Sequence, residues 1–232
     1  MQHRLWQSGI FSWDDFLAAE KIWGFSKLRK KAIDEQFWEL KQHLKQLNGE
    51  YFARRLPFSH HWLLFPEFKS VTAFIDIETS GIGEQAYTTV VGIASLSGYQ
   101  SLVRGVNLDQ LNLQKALAPY KMLVSFYGSG FDLPFLKREF PDLPIYYLPH
   151  FDLCLSGRKV GLRGGLKKVE KQLGIIRPPE VCDLGGYEAV MLWEDYLAGN
   201  QRALERLLLY NREDTVNLVS LAKIIYQKLS AF

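Results

Sequence analysis

One short stretch constrains this chain more than any other: Val71-Thr72-Ala73-Phe74-Ile75-Asp76-Ile77-Glu78-Thr79, an apolar run with two carboxylates set into its end. Short, β-branched and aromatic, and closed by Thr79-Ser80-Gly81, it predicts a buried strand. Residues two apart on a strand share a face, so Asp76 and Glu78 project together while Ile75 and Ile77 face the other way. Two anions on one patch raise each other's pKa, and an apolar strand is a poor place to hide either. A divalent cation resolves the conflict, since hard oxygen ligands suit Mg²⁺ or Mn²⁺. The plainer alternative is a strand end with two solvated acids, and this stretch alone leaves both open.

A chain of 232 residues with 47% hydrophobic content can fill a sizeable core, as one large domain or a medium domain with an appendage. Its formal charge of +3 permits a polyanionic partner without demanding one. Cys154 and Cys182 are far apart and fit no metal spacing, which argues against a disulfide framework or a zinc site and for a reducing cytoplasm. The Met1-Gln2-His3-Arg4-Leu5-Trp6 start lacks an apolar signal core, and no apolar run reaches bilayer length, so neither export nor a membrane is expected.

Residues 12–47 have helical character: Ser12 is a candidate cap, and Phe16, Leu17, Ile22, Ile33, Phe37, Leu40, Leu44 and Leu47 recur at helical spacing. Two or three helices are expected, ending at Asn48-Gly49. The basic cluster Lys27, Arg29, Lys30 and Lys31 reads as a solvated helix face, with phosphate contact as the alternative. Residues 50–70 should form a connector of little period against the main domain. There His60 and His61 are neighbours that face apart and make a poor chelating pair.

Beyond the acidic strand, residues 87–97 and 100–106 predict two strands joined by Gly98-Tyr99. A helix through Leu111, Leu113 and Leu117, a strand over 122–126, a helix over 131–140 and a fifth strand over 145–148 follow, before a helical final third. A meander followed by alternation implies an α/β fold, a mixed five-stranded sheet flanked by helices. The expected division is a helical appendage and connector over 1–69 and the sheet domain over 70–232.

Gly81-Ile82-Gly83-Glu84-Gln85-Ala86 matches a dinucleotide-binding glycine pattern, but Tyr87-Thr88-Thr89-Val90-Val91 follows where that pattern needs a helix. The glycines read better as a turn. A second carboxylate, Asp132, follows the glycines of Tyr127-Gly128-Ser129-Gly130-Phe131 at the start of a helix, where capping competes with a site role. A third, Asp214, lies four residues after Tyr210 and so on the same helix face. Asp152 reads as a helix cap.

An Asp-x-Glu strand, then Phe131-Asp132-Leu133-Pro134-Phe135-Leu136, then Tyr-x-x-x-Asp on a late helix resembles the ribonuclease H-like, DnaQ-type 3′–5′ exonucleases with four acidic residues and a tyrosine (DEDDy). Within them the chain looks most like those with a YprB-type ribonuclease H-like domain. That similarity extends to Leu5-Trp6, Gly9-Ile10 and Trp13-Asp14-Asp15-Phe16-Leu17, to residues 62–68, and to residues 188–197 and 204–214, nearly the whole chain. The resemblance implies a ribonuclease H-like domain and hydrolysis of DNA or RNA phosphodiesters from the 3′ end by two Mg²⁺ or Mn²⁺ ions. Asp76, Glu78, Asp132 and Asp214 would be the metal ligands, with Asp76 bridging and Asp132 acting through water, and Tyr210 would orient the attacking water. Where the second motif commonly has Asn, this chain has Tyr127, which bears on substrate fit. Thr79, Tyr127 and Phe131 are candidate substrate contacts. Arg163 and Lys167, from the basic stretch Arg158-Lys159-Val160-Gly161-Leu162-Arg163 with Lys167, Lys168 and Lys171, are candidate contacts to a nucleic-acid backbone, against a solvated segment as the alternative. An endonuclease of the same fold and a noncatalytic nucleic-acid-binding module are the rival readings.

Overall fold

The computed structural model describes residues 2–231, and the chain divides into two compact units, Met1–Asn48 and Gly49–Phe232. The first unit holds α1 (Gln2–Gln7), α2 (Trp13–Ala18) and α3 (Lys27–Lys45). Ser12 starts α2 in a capping box with Asp15, and Ser26 caps α3 by accepting from the Arg29 amide, so both starts follow from local side-chain chemistry. Buried Phe16 lies edge-on to Phe25 and Phe37 and forms the centre of this small unit. The basic cluster is largely committed to α3 itself: Lys30 is buried and pairs with Asp34 at 2.6 Å, and Lys31 lies 4.0 Å from Glu35.

The second unit begins with α4 (Gly49–Arg55), a 3₁₀ turn (Phe58–Leu64) and α5 (Phe65–Phe68). Two expectations change here. Gly49 opens a helix instead of closing one, and the position needs glycine because a side chain there would run into the Lys121 carbonyl. The segment expected to lack period is helical in short pieces, since its aromatic residues are anchors: Phe52, Phe65 and Phe68 are buried, and Phe65 meets Phe74 and Phe151 edge-on. His61 is buried between the Leu56 carbonyl and the His150 amide, while His60 is exposed.

Strands β1 (Thr72–Thr79), β2 (Thr88–Ser95) and β3 (Gly98–Val103) form the meander. There follow α6 (Gln110–Leu117), β4 (Met122–Ser125), α7 (Asp132–Glu139) and β5 (His150–Asp152), giving a five-stranded sheet in the order β3-β2-β1-β4-β5. β2 runs antiparallel to β1 and β3, and β4 and β5 run parallel to β1. The fifth strand is not residues 145–148: Pro144 opens a 3₁₀ turn there, and the parallel ladder to β4 is made by His150, Phe151 and Asp152. The chain ends with α8 (Leu153–Lys159), α9 (Leu166–Gln172), α10 (Gly186–Leu197) and α11 (Gln201–Ser230). No helix among the described residues is long and apolar enough to cross a membrane.

Alternation along β1 sorts the molecule into layers. Ala73, Ile75 and Ile77 enter a core with Val91, Ile93, Leu113, Leu117, Phe135 and Leu136, beneath α6 and α7. Asp76 and Glu78 point to the opposite face, where Val90 and Val103 pack with Leu204, Leu207 and Tyr210 of α11. Gly92 sets how close α11 comes: a Cβ at this position, the register partner of Asp76, would overlap the side chains of Asn211 and Thr215. The absence of that one carbon seats the Tyr210–Asp214 turn of α11 against the acidic end of β1.

Candidate metal centre

The acidic residues arrive from three elements. Asp76 and Glu78 come from β1, whose ladder with β2 is irregular between Glu78 and Thr79, as is common beside functional sites. Asp214 comes from α11, and each of the three offers an oxygen within 4.8 Å of the others. Asp132 opens α7, whose N-cap Phe131 makes no side-chain cap bond; its Oδ1 accepts the Ile77 amide at 3.2 Å, tying the loop to β1 between the two strand carboxylates. Asp152 does cap α8, through the Cys154 and Leu155 amides, and it also accepts from the Tyr127 and Ser129 amides and the Ser129 hydroxyl. It therefore holds the loop that delivers Asp132.

The electrostatics follow from this packing. Burial, then the Asp214 and Glu78 charges, push Asp76 well above the ordinary carboxylate range. Glu78 is raised by burial and by Asp214, against a hydrogen bond from Asn211. Burial lifts Asp132 to about 7, and Asp214 is also raised by burial, though the adjoining Arg177 opposes this. Burial and the facing carboxylates keep the Tyr210 phenol protonated well above neutrality. Three carboxylates whose charges oppose one another, Glu78 and Asp214 buried and Asp76 partly exposed, are a donor set that fits a hard divalent cation.

Three residues at the site are absent from the sequence motifs. Asn211, fully buried, donates through Nδ2 to Asp76 Oδ2 at 3.1 Å and Glu78 Oε1 at 3.3 Å, while its Oδ1 accepts from the Tyr99 hydroxyl at 3.0 Å. Arg177 forms an ion pair with Asp214 and is itself held by Glu170. An Asn one place after Tyr210, on the buried stripe of α11, was the available hint for the first; nothing local marks the other two.

A cleft of about 570 Å³ opens over these groups, lined by Asp76, Glu78, Asp132, Tyr210 and Asp214 among others. Thr79, Tyr127 and Phe131 also line it, but the Thr79 hydroxyl is already donated to the Gly81 carbonyl at 2.7 Å. Tyr127, with φ +65°, stands half exposed at the wall, and Ile82 and Tyr187 form an exposed apolar rim. Lys167 sits outside the lining, its Nζ 5.0 Å from the centre of the Tyr210 ring. Arg163 is exposed and is not a lining residue. Gly81 and Gly83 take positive φ in a turn, and no helix starts there to receive a pyrophosphate.

The sequence profile of the RNase H superfamily matches residues 73–226, a region that holds the acidic residues and, apart from Thr72 at the start of β1, all five sheet strands. Among solved structures, the family B DNA polymerase from the hyperthermophilic archaeon Pyrobaculum calidifontis superposes with a TM-score of 0.53 at 15% identity, over 66% of this chain and 24% of the polymerase. The chain thus spans about a quarter of that relative, and at this identity the likeness is one of fold. The Nibbler EXO domain of Aedes aegypti matches with a TM-score of 0.45 at 15% identity, over 74% of this chain and 85% of that one. No curated protein is matched by the sequence.

Proposed function

The chain belongs to the RNase H superfamily, and from that premise we propose that it is a divalent-metal-dependent nuclease that trims nucleic acid from the 3′ end. The observation that carries this reading is the convergence of Asp214 with Asp76 and Glu78, which lie more than a hundred residues earlier in the chain, to within ligand distance of one another. Asp132 beside them, and Tyr210 one helical turn before Asp214, complete the four acids and a tyrosine that the sequence motifs imply.

Mg²⁺ or Mn²⁺ held there would supply charge to offset the anionic transition state and a water acidic enough to attack phosphorus. Asp76, Glu78 and Asp214 would hold the first ion, and Asp132, tethered to the Ile77 amide, would orient a second through water. Asn211 fixes the two strand carboxylates in one orientation by donating to both. Burial and the facing carboxylates hold the Tyr210 phenol in its protonated form, in which it would orient the attacking water by hydrogen bonding. The half-exposed Tyr127 ring and the Phe131 ring offer apolar surface to the sugars and bases of a strand lying in the cleft.

The test is incubation with Mn²⁺ and 5′-labelled single-stranded DNA and RNA, beside Asp76→Asn. Stepwise shortening from the 3′ end is expected, reduced more than about 100-fold in the variant, since loss of a direct ligand should exceed the effect of losing a supporting residue. Internal fragments as the first products would instead make the enzyme an endonuclease. Cleavage that survives EDTA, or that is equal in the variant, would overturn the assignment.

A further inference from the structure

The metal reading leaves one buried ionic group without a use. Arg177, in the loop between α9 and α10, has a side chain only 5% exposed, and Glu170, on α9, has one only 2% exposed. Arg177 Nε and Nη2 donate to the two Glu170 oxygens at 2.6 and 2.8 Å, a two-bond fork, and Asn217 of α11 donates to Glu170 Oε1 at 3.0 Å. The remaining guanidinium nitrogen, Nη1, faces Asp214 Oδ1 as an ion pair, and among the described residues neither atom has a hydrogen bond to any other group.

A buried ion pair is a poor device for stability alone, because apolar side chains of similar volume hold a fold as well or better. What an apolar pair cannot do is aim a third group. The dyad is neutral as a whole, so it does not oppose a cation from a distance, yet it presents a rigid planar donor to one oxygen of Asp214. Neither Arg177 nor Glu170 is among the residues that line the cleft. We propose that Arg177, clamped by Glu170, is a positioning residue that fixes Asp214 for metal binding, with one carboxylate oxygen held from behind and the other left for the ion. This rests on the metal-site reading above.

Calorimetric titration with Mn²⁺ and thermal unfolding in EDTA separate a positioning role from a structural one. In the paired replacement Glu170→Met with Arg177→Met, Asp214 loses its counter-charge and Asn217 its acceptor, so the unfolding midpoint in EDTA should fall, while the protein should remain folded at the temperature of the titration. Its Mn²⁺ dissociation constant should rise about 10- to 100-fold, the range for loss of groups that orient metal ligands. Glu170→Gln, nearly isosteric, breaks half of the fork and leaves an uncompensated cation beside the ion, so it should weaken Mn²⁺ about 10-fold. That single variant decides the matter if the paired one does not fold. Wild-type Mn²⁺ affinity in either folded variant would overturn the role given to Arg177. A wild-type protein that binds no Mn²⁺ would instead remove the metal centre itself, and the role of Arg177 with it.

Discussion

Neutralising Asp132 should stabilise the metal-free protein, and by an amount that depends on pH in a definite direction. The residue is 4% exposed, and its carboxyl is raised from 3.8 to about 7, chiefly by burial. Between those values the folded chain holds a proton that the unfolded chain has released, so stability falls as pH rises through the window. The penalty is absent below about pH 4 and complete above about pH 7. At about 1.4 kcal/mol per tenfold change in proton affinity, the ceiling is about 4 kcal/mol. Protons shared with Asp76, Glu78 and Asp214 lower it, so Asp132→Asn should gain about 1–3 kcal/mol near pH 8 and almost nothing near pH 4. The amide oxygen of Asn can still accept from the Ile77 N–H, so the tether survives the change. Urea unfolding in EDTA, at fixed ionic strength across this range, reads the difference between the two proteins. His150, pushed down to about 4 by burial, titrates in the opposite sense, but it does so in both proteins and cancels in the difference. Mn²⁺ at a hundred times its dissociation constant should then add about 2.7 kcal/mol to the wild type and less to the variant. A variant less stable than wild type at pH 8 in EDTA, or a difference that is flat with pH, would refute the claim that these carboxylates are packed against their own interest.

Two further changes probe how the site is held and what it meets. Gly92→Ala puts a methyl group where Asn211 and Thr215 of α11 already lie, so the helix must shift; a loss of about 1–3 kcal/mol in urea unfolding is expected, together with weakened Mn²⁺ binding. Wild-type values for both would mean that α11 is not seated by this close approach. Tyr127→Asn keeps a residue tolerant of φ +65° while removing the ring from the cleft wall, and thermal unfolding should show a change of no more than about 1 kcal/mol. Steady-state kinetics on an oligonucleotide should show a higher KM with kcat little changed, and a fall in kcat alone would count against Tyr127 as a substrate contact.

The sheet was legible where each strand carries its own signal. β1 announces itself by composition, and the alternation that puts Ile75 and Ile77 opposite Asp76 and Glu78 holds in the folded chain. The Ser12 cap was readable because capping is a local matter of one hydroxyl and nearby amides. Predictions failed where the outcome depended on distant partners. Ile145 and Leu148 look as apolar as a strand should, yet Pro144 turns the chain there, and the ladder with β4 selects the three residues His150, Phe151 and Asp152. The aromatic residues around Phe65 have no period, because what makes them helical anchors is a set of rings on β1 and β5 that no local window contains.

The same division runs through the site. Acidic side chains are visible in sequence because carboxylates on a buried strand or a helix core face are a local contradiction, and a contradiction can be noticed without knowing its resolution. The groups that resolve it are not anomalous where they stand. Asn211 reads as one more polar residue on a long helix until Gly92 of β2 lets α11 come close to the sheet, where Asp76 and Glu78 of β1 meet its amide. Arg177 reads as a loop cation until Glu170 takes two of its nitrogens and turns the third toward Asp214. Supporting residues of this kind act only through geometry created elsewhere, so a sequence can disclose which side chains are in conflict while leaving unstated which neighbours hold them in place.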